Sequence, residues 1–118
     1  MELATNVFAL GRVLRAQRHH SLASQLERAA VSIAANIAEG SARNSDAEFS
    51  RFLSISLGSL RELETLIDLS FRLGVAKRET AMALAAQADE VGKVLFGLQR
   101  SVRKTATEGR RPKPTTDS

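Results

Sequence analysis

The sequence predicts an all-α fold, an up-down-up-down antiparallel four-helix bundle. Three observations carry this. Apolar residues recur at alternating spacings of three and four in four separate stretches, the period of a one-sided helix. Leu, Ala, Arg, Ser and Glu dominate while Trp and Tyr are absent, a composition that disfavours strands. The stretches are joined by short connections, so neighbouring helices must run antiparallel. At 118 residues the chain fits one domain with a single core.

The first stripe is Leu3, Val7, Leu10 and Leu14. The second is Leu22, Leu26, Ala29 or Ala30, Ile33 and Ile37, and it ends at Gly40, the expected left-handed residue just past a helix. Two placements of the break between them fit: Ser21 as an N-cap after His20, or a break near Gly11. Ser45-Asp46-Ala47-Glu48 reads as a capping box that opens the third helix, Ser45 accepting from the Glu48 amide and Glu48 reaching back. That helix runs from about Asp46 to Leu73, roughly 40 Å at 1.5 Å per residue. Gly74-Val75 closes it, with Val75 packing back on Leu69. The fourth stripe is Leu84, Ala88, Val91, Leu95, Leu98 and Val102. The bundle therefore occupies 1–105. Residues 106–118, with two prolines, a glycine and no large apolar residue, read as a disordered basic tail.

Charge is unevenly placed. Residues 1–20 carry Arg12, Arg15 and Arg18 against Glu2, and the body from Ser21 to Gln99 is slightly acidic. The end carries Arg100, Arg103, Lys104, Arg110, Arg111 and Lys113 against Glu108 and Asp117. Basic ends favour polyanions, because Lys and Arg contacts to phosphate release counterions and supply most non-specific affinity. Arg12, Arg15 and His19 share a face if the first helix continues that far, as do Arg100, Arg103 and Lys104 at the end of the fourth. Bundle topology puts the latter group at the same end as Arg43. The candidate nucleic-acid contacts are thus Arg12, Arg15, Arg43, Arg100, Arg103, Lys104, Arg110 and Arg111. Without aromatic residues among them, binding to RNA or DNA is expected to be backbone-directed and tolerant of sequence.

Chemistry at a reacting centre is not expected. There is no Cys, so thiolate metal sites and disulfides are excluded. His19 and His20 are adjacent and point about 100° apart on a helix, so they cannot chelate one ion. Gly58-Ser59-Leu60 lacks the second glycine and setting of a nucleophile elbow. A non-enzyme without cofactor, metal or small-molecule substrate follows. No signal peptide or apolar run of about 18 residues is present, which points to a cytoplasmic protein without a membrane role.

Asn36 and Glu39 interrupt the apolar second helix near its end. Glu39 sits at the negative end of the helix dipole and needs a cation, which Arg43 or Arg51 can supply. Asn36 can bridge the loop carbonyls and the first amides of the third helix, so the pair reads as a polar clasp fixing the turn. Gly58, mid-helix, faces Val91 and Gly92 across the Gly74 turn, and a close approach of helices three and four would offset its cost of about 1 kcal/mol. The third helix is apolar around more than one face, so Ile55, Leu66 and Leu69 are expected at subunit contacts in an assembly larger than a dimer.

The run from Leu22 to Gly74 resembles the four-helix-bundle family of proteins encoded in 23S ribosomal RNA intervening sequences. Its pattern, near L-T-S-Q-x-R-R-A-x-x-S-I-P-x-N-I-A-E-G, is matched at Leu22, Ser24, Gln25, Arg28, Ala29, Ser32, Ile33, Asn36, Ile37, Ala38, Glu39 and Gly40. The following R-x-S-x-x-E-F-x-x-F-L and G-S-L-x-E-L-E are matched from Arg43 to Leu53 and from Gly58 to Glu64. Ala34 replaces the family's proline, the usual Phe-Pro connection is LRAQRHHSL, and an N-terminal Trp-containing stretch is missing, so the first helix looks shortened. The resemblance implies a left-handed bundle that assembles as a homopentamer without cofactor. The family includes the accessory variability protein of diversity-generating retroelements, which implies nucleic acid and a nucleic-acid enzyme as partners. The competing reading is a protein-interaction scaffold whose charges only solubilise it.

Overall fold

The computed structural model describes residues 1–108. Four helices follow in order: α1 (Glu2–Ala16), α2 (His20–Ser41), α3 (Asp46–Arg72) and α4 (Arg78–Glu108), with no strand among the described residues. α1 packs on α2, α2 on α3, α3 on α4, and α4 more sparsely on α1, an antiparallel four-helix bundle. None of the helices is long and apolar enough to cross a membrane.

The stripes read from the sequence form the core. Leu3, Val7, Leu10 and Leu14 are buried, as are Leu26, Ala29, Ala30 and Ile33 of α2 and Leu84, Ala88, Leu95 and Val102 of α4. Leu53, Leu57, Leu60, Leu63 and Ile67 of α3 line the centre. Leu22, Ile37, Val91 and Leu98 are half-buried against them.

The helix ends depart from expectation in instructive ways. The first break is three residues, with Arg18 in the left-handed region (φ 69°) and His19, rather than Ser21, as the N-cap of α2. Gly11 lies inside α1. Gly40 is also inside its helix, α2 ending at Ser41 with Ala42 as C-cap. Its missing side chain matters for a different reason than a left-handed turn: a Cβ there would meet Phe52 Cβ at 2.7 Å and Phe49 Cδ1 at 3.0 Å. Gly40 is where α3's first turns press on α2. Ser45 caps α3 as expected, its Oγ accepting from the Glu48 amide at 3.1 Å, while the Glu48 carboxylate turns to Arg43.

The α3–α4 turn is a Schellman end. Gly74 is left-handed (φ 76°), its N–H bonding Phe71 O at 2.9 Å, and Val75 N–H bonds Ser70 O at 3.0 Å. Val75 tucks half-buried against the core, and Leu69 stays exposed. α4 runs on to Glu108, past the residue-105 limit read from the pattern. The rest of the expected tail, 109–118 with Arg110 and Arg111, lies outside the described residues.

Candidate nucleic-acid interface

The antiparallel fold brings the α2–α3 turn and the end of α4 together at one end of the bundle. There Gln99, buried on α4, donates from Nε2 to Ser50 O at 2.9 Å and to Ser54 Oγ at 2.7 Å. One turn later Arg103 Nε donates to Ser50 Oγ at 3.2 Å. These bonds fix the register of α4's last turns on α3. Arg100 and Lys104 stand exposed beside them and form no ion pair among the described residues.

Arg43 is at the same end, already engaged. Its guanidinium pairs with Glu39, Nε lies 3.9 Å from Glu48 Oε1, and Cζ sits 5.1 Å from the Phe52 ring centre. Arg51 covers the same ring at 4.6 Å. Phe52 is thus flanked by two cations, each contact a favourable use of the ring's negative face. Five basic side chains (Arg43, Arg51, Arg100, Arg103 and Lys104) share this end with the carboxylates of Glu39, Asp46 and Glu48.

The other predicted group comes apart. Arg12 is exposed on α1, but Arg15 is committed to α2, where Nη2 donates to Glu27 Oε1 at 2.7 Å and Nη1 to Oε2. Hydrogen bonding to Glu27 raises the Arg15 pKa, against lost hydration and helped by the carboxylate's charge. His19 sits in the break between helices, so the three do not form one helical face. They lie towards the opposite end from Arg100.

Asn36 and Glu39 are not a shared clasp. Asn36 Nδ2 donates to Ser32 O at 2.8 Å and Ser32 Oγ at 3.1 Å, within α2. Ser32 Oγ in turn meets Ser59 Oγ at 2.6 Å, so the amide supports a polar rung between α2 and α3. A second rung beside it, Ser56 Oγ donating to Ile33 O at 2.9 Å, is fully buried. Glu39 is exposed and paired with Arg43, one of the two cations expected to reach it. Gly58 is exposed, and a Cβ there would meet nothing within 4 Å; the glycine facing across α3–α4 is Gly92, where a Cβ would lie 3.2 Å from Leu60 Cδ2. Of the three residues expected at subunit contacts, Ile55 and Leu69 are 39% and 40% exposed, whereas Leu66 is only 8% exposed and belongs to the core.

Sequence reasoning missed Gln99 and the serine rungs. Gln99 lies one residue after Leu98 in the apolar stripe, and its i−4 neighbour Leu95 is buried, which was the available signal. Among the described residues no group of three or more His, Asp or Glu is placed to hold a metal ion.

Residues 1–97 match the family model described as 23S rRNA-intervening sequence protein. A solved structure with a similar fold is a protein of unknown function from the S23 ribosomal protein family of Bacteroides thetaiotaomicron VPI-5482. It is 28% identical, with a TM-score of 0.80, over 83% of this chain and 92% of that one. No curated protein matches.

Proposed function

The chain belongs to the 23S rRNA-intervening sequence protein family, and from that premise we propose a non-enzymatic, oligomeric, cytoplasmic bundle that binds the phosphate backbone of RNA or DNA without sequence preference. No metal, cofactor or small-molecule substrate takes part, and a nucleic-acid enzyme is a fitting partner. The observation that carries this is the cation group at the α4 end: Arg100 and Lys104 exposed and unpaired among the described residues, next to Arg103 held on Ser50. Exposed cations with no carboxylate of their own are free to neutralise phosphates. Several copies in one homo-oligomer, five by family likeness, would add these weak contacts by avidity.

The experiment is retention of generic single-stranded RNA by the full chain across a salt series. Binding that falls steeply with salt, and that weakens in Arg100→Glu with Lys104→Glu, is the expected result. No retention at low salt, or affinity indifferent to both substitutions, overturns it. The second reading, a protein-interaction scaffold, is favoured by exposed Ile55 and Leu69 on the outer face of α3. It takes over if the RNA experiment fails while the protein remains oligomeric.

A further inference from the structure

The cation group at the α4 end does include an aromatic ring, contrary to the sequence-based expectation that binding there is directed to the backbone alone. Phe96 lies one turn before Arg100, and Lys93, Phe96, Arg100, Arg103 and Lys104 share one face of α4 at spacings of three and four. The ring is 47% exposed. Arg61 of α3 holds it from across the interface, with Cζ 5.5 Å from the ring centre, and Arg61 Nη1 donates to Glu64 Oε1 at 2.8 Å. Gln99 bonds Ser54 Oγ, and a Cβ on Gly92 would lie 3.2 Å from Leu60 Cδ2, so Phe96, between them, stands level with Leu57 and Gly58. Gly58 adds no side chain there, and a Cβ on it would meet nothing within 4 Å. The ring is thus pinned by a cation and still open to solvent.

Its surroundings are unlike those of a subunit contact. One turn away on α4 are Lys93 and Arg100, exposed, and Gly92 and Gln99, buried; across on α3 are Ser54, Gly58 and Arg61. No large apolar side chain is exposed among them, and a dry interface over Phe96 would strip water from Arg61 and Arg100 for the gain of one ring. The other two cation-bound rings are placed differently. Phe52 is half-buried and already flanked by Arg43 and Arg51, and Phe71 lies in the last turn of α3, away from the free cations.

We propose that Phe96 is a stacking platform for an unpaired base, so that the ligand of this face is single-stranded nucleic acid rather than duplex. The inference rests on the phosphate-binding reading and adds the base to it. A base laid on the ring brings its own strand's phosphates within reach of Arg100 and Lys104, which follow Phe96 along α4 in steps of about 6 Å at 1.5 Å per residue. Every base has a π-face, so stacking of this kind keeps the binding tolerant of sequence. In a duplex the bases are stacked on one another and closed to Phe96, while the phosphate charge is denser. Electrostatics alone therefore favours the duplex, and stacking favours the single strand.

The probes are fluorescein-labelled strands of about 16 nucleotides, one of thymidines and one abasic, with the same phosphates and no bases. Each is titrated with the full chain and followed by anisotropy across a salt series. The thymidine strand should bind about tenfold more tightly than the abasic one, and more tightly than its duplex with an adenine strand. Phe96→Leu should remove the preference without changing the slope of affinity on salt, and Phe96→Tyr should keep it. Unchanged denaturation midpoints verify that both variants fold, and the comparison of strands on the unsubstituted chain decides even without them. Equal binding of the two strands with a steep salt dependence, a tighter duplex, or a preference that survives Phe96→Leu overturns the stacking site and leaves the phosphate reading standing. Binding of neither strand at low salt removes the phosphate reading, and the stacking site with it.

Discussion

Arg15 and Glu27 form a two-armed ion pair across the α1–α2 interface, and it fits because Gly11 leaves room for it. A Cβ on Gly11 would collide with Glu27 Oε2. Gly11 therefore trades helix propensity for the placement of a carboxylate that clamps the shortest helix of the bundle. In the unsubstituted chain, Gly11→Ala should gain nothing or lose stability, because the methyl group displaces the clamped carboxylate. With Glu27→Ala already in place, the same change should stabilise by about 1 kcal/mol, the ordinary helix preference of alanine over glycine. A double-mutant cycle by urea denaturation reads the coupling; equal effects in both backgrounds would refute the arrangement.

Gly40 and Gly58 should respond in opposite directions to the same substitution. Gly40→Ala forces a methyl against Phe52 Cβ, a backbone-proximal atom that cannot swing away, and should cost about 1–3 kcal/mol. Gly58→Ala enters open space and should stabilise the isolated bundle by about 1 kcal/mol. Chemical denaturation of both variants, well below the concentration at which subunits associate, checks the pair. If Gly58→Ala stabilises the monomer but lowers assembly mass, its lack of a side chain serves a subunit contact.

These glycines mark how far the sequence could be read. Spacing alone located the buried stripes of α1, α2 and α4, because the helical period follows from local side-chain placement, whereas on α3 it left Leu66 outside the core that encloses it. It also located the Ser45 cap and the Gly74 end, whose hydrogen bonds close within six residues. What it could not supply was the partner across an interface. Gly40 resembles a helix terminator in sequence, yet its role is set by Phe49 and Phe52 on the next helix. Asn36 looked like a turn residue, while its bonds to Ser32 acquire meaning only through Ser59 on α3. In the site, the grouping of Arg100, Arg103 and Lys104 was visible from their spacing. The pairing that removes Arg15 from the free cations was not, because Glu27 lies on another helix.

Asn36→Ala and Glu39→Ala should differ in cost. Asn36 is half-buried and makes two hydrogen bonds, so its removal should destabilise by about 1 kcal/mol, the usual net worth of such bonds. Glu39 is exposed and its pair with Arg43 is open to solvent, so Glu39→Ala should change stability by less than about 1 kcal/mol. Parallel urea titrations decide it, and a larger loss at Glu39 would show that the turn depends on the Arg43 pair.

The last contrast separates assembly from core. Leu66, Ile55 and Leu69 all lie on α3, but only Leu66 is enclosed by its own chain. Leu66→Lys buries an ammonium with no partner and should prevent folding, seen as loss of the helical circular dichroism signal. Ile55→Lys and Leu69→Lys place the charge at exposed positions, where a monomer tolerates it, so helicity should be kept. If those two residues lie at subunit contacts, each lysine must be desolvated within the interface, and the assembly should dissociate towards smaller species in light scattering. A mass unchanged in both variants would remove this face of α3 from the assembly. An unsubstituted protein that is itself monomeric at micromolar concentration would remove the assembly, and with it the avidity on which the phosphate-binding proposal draws.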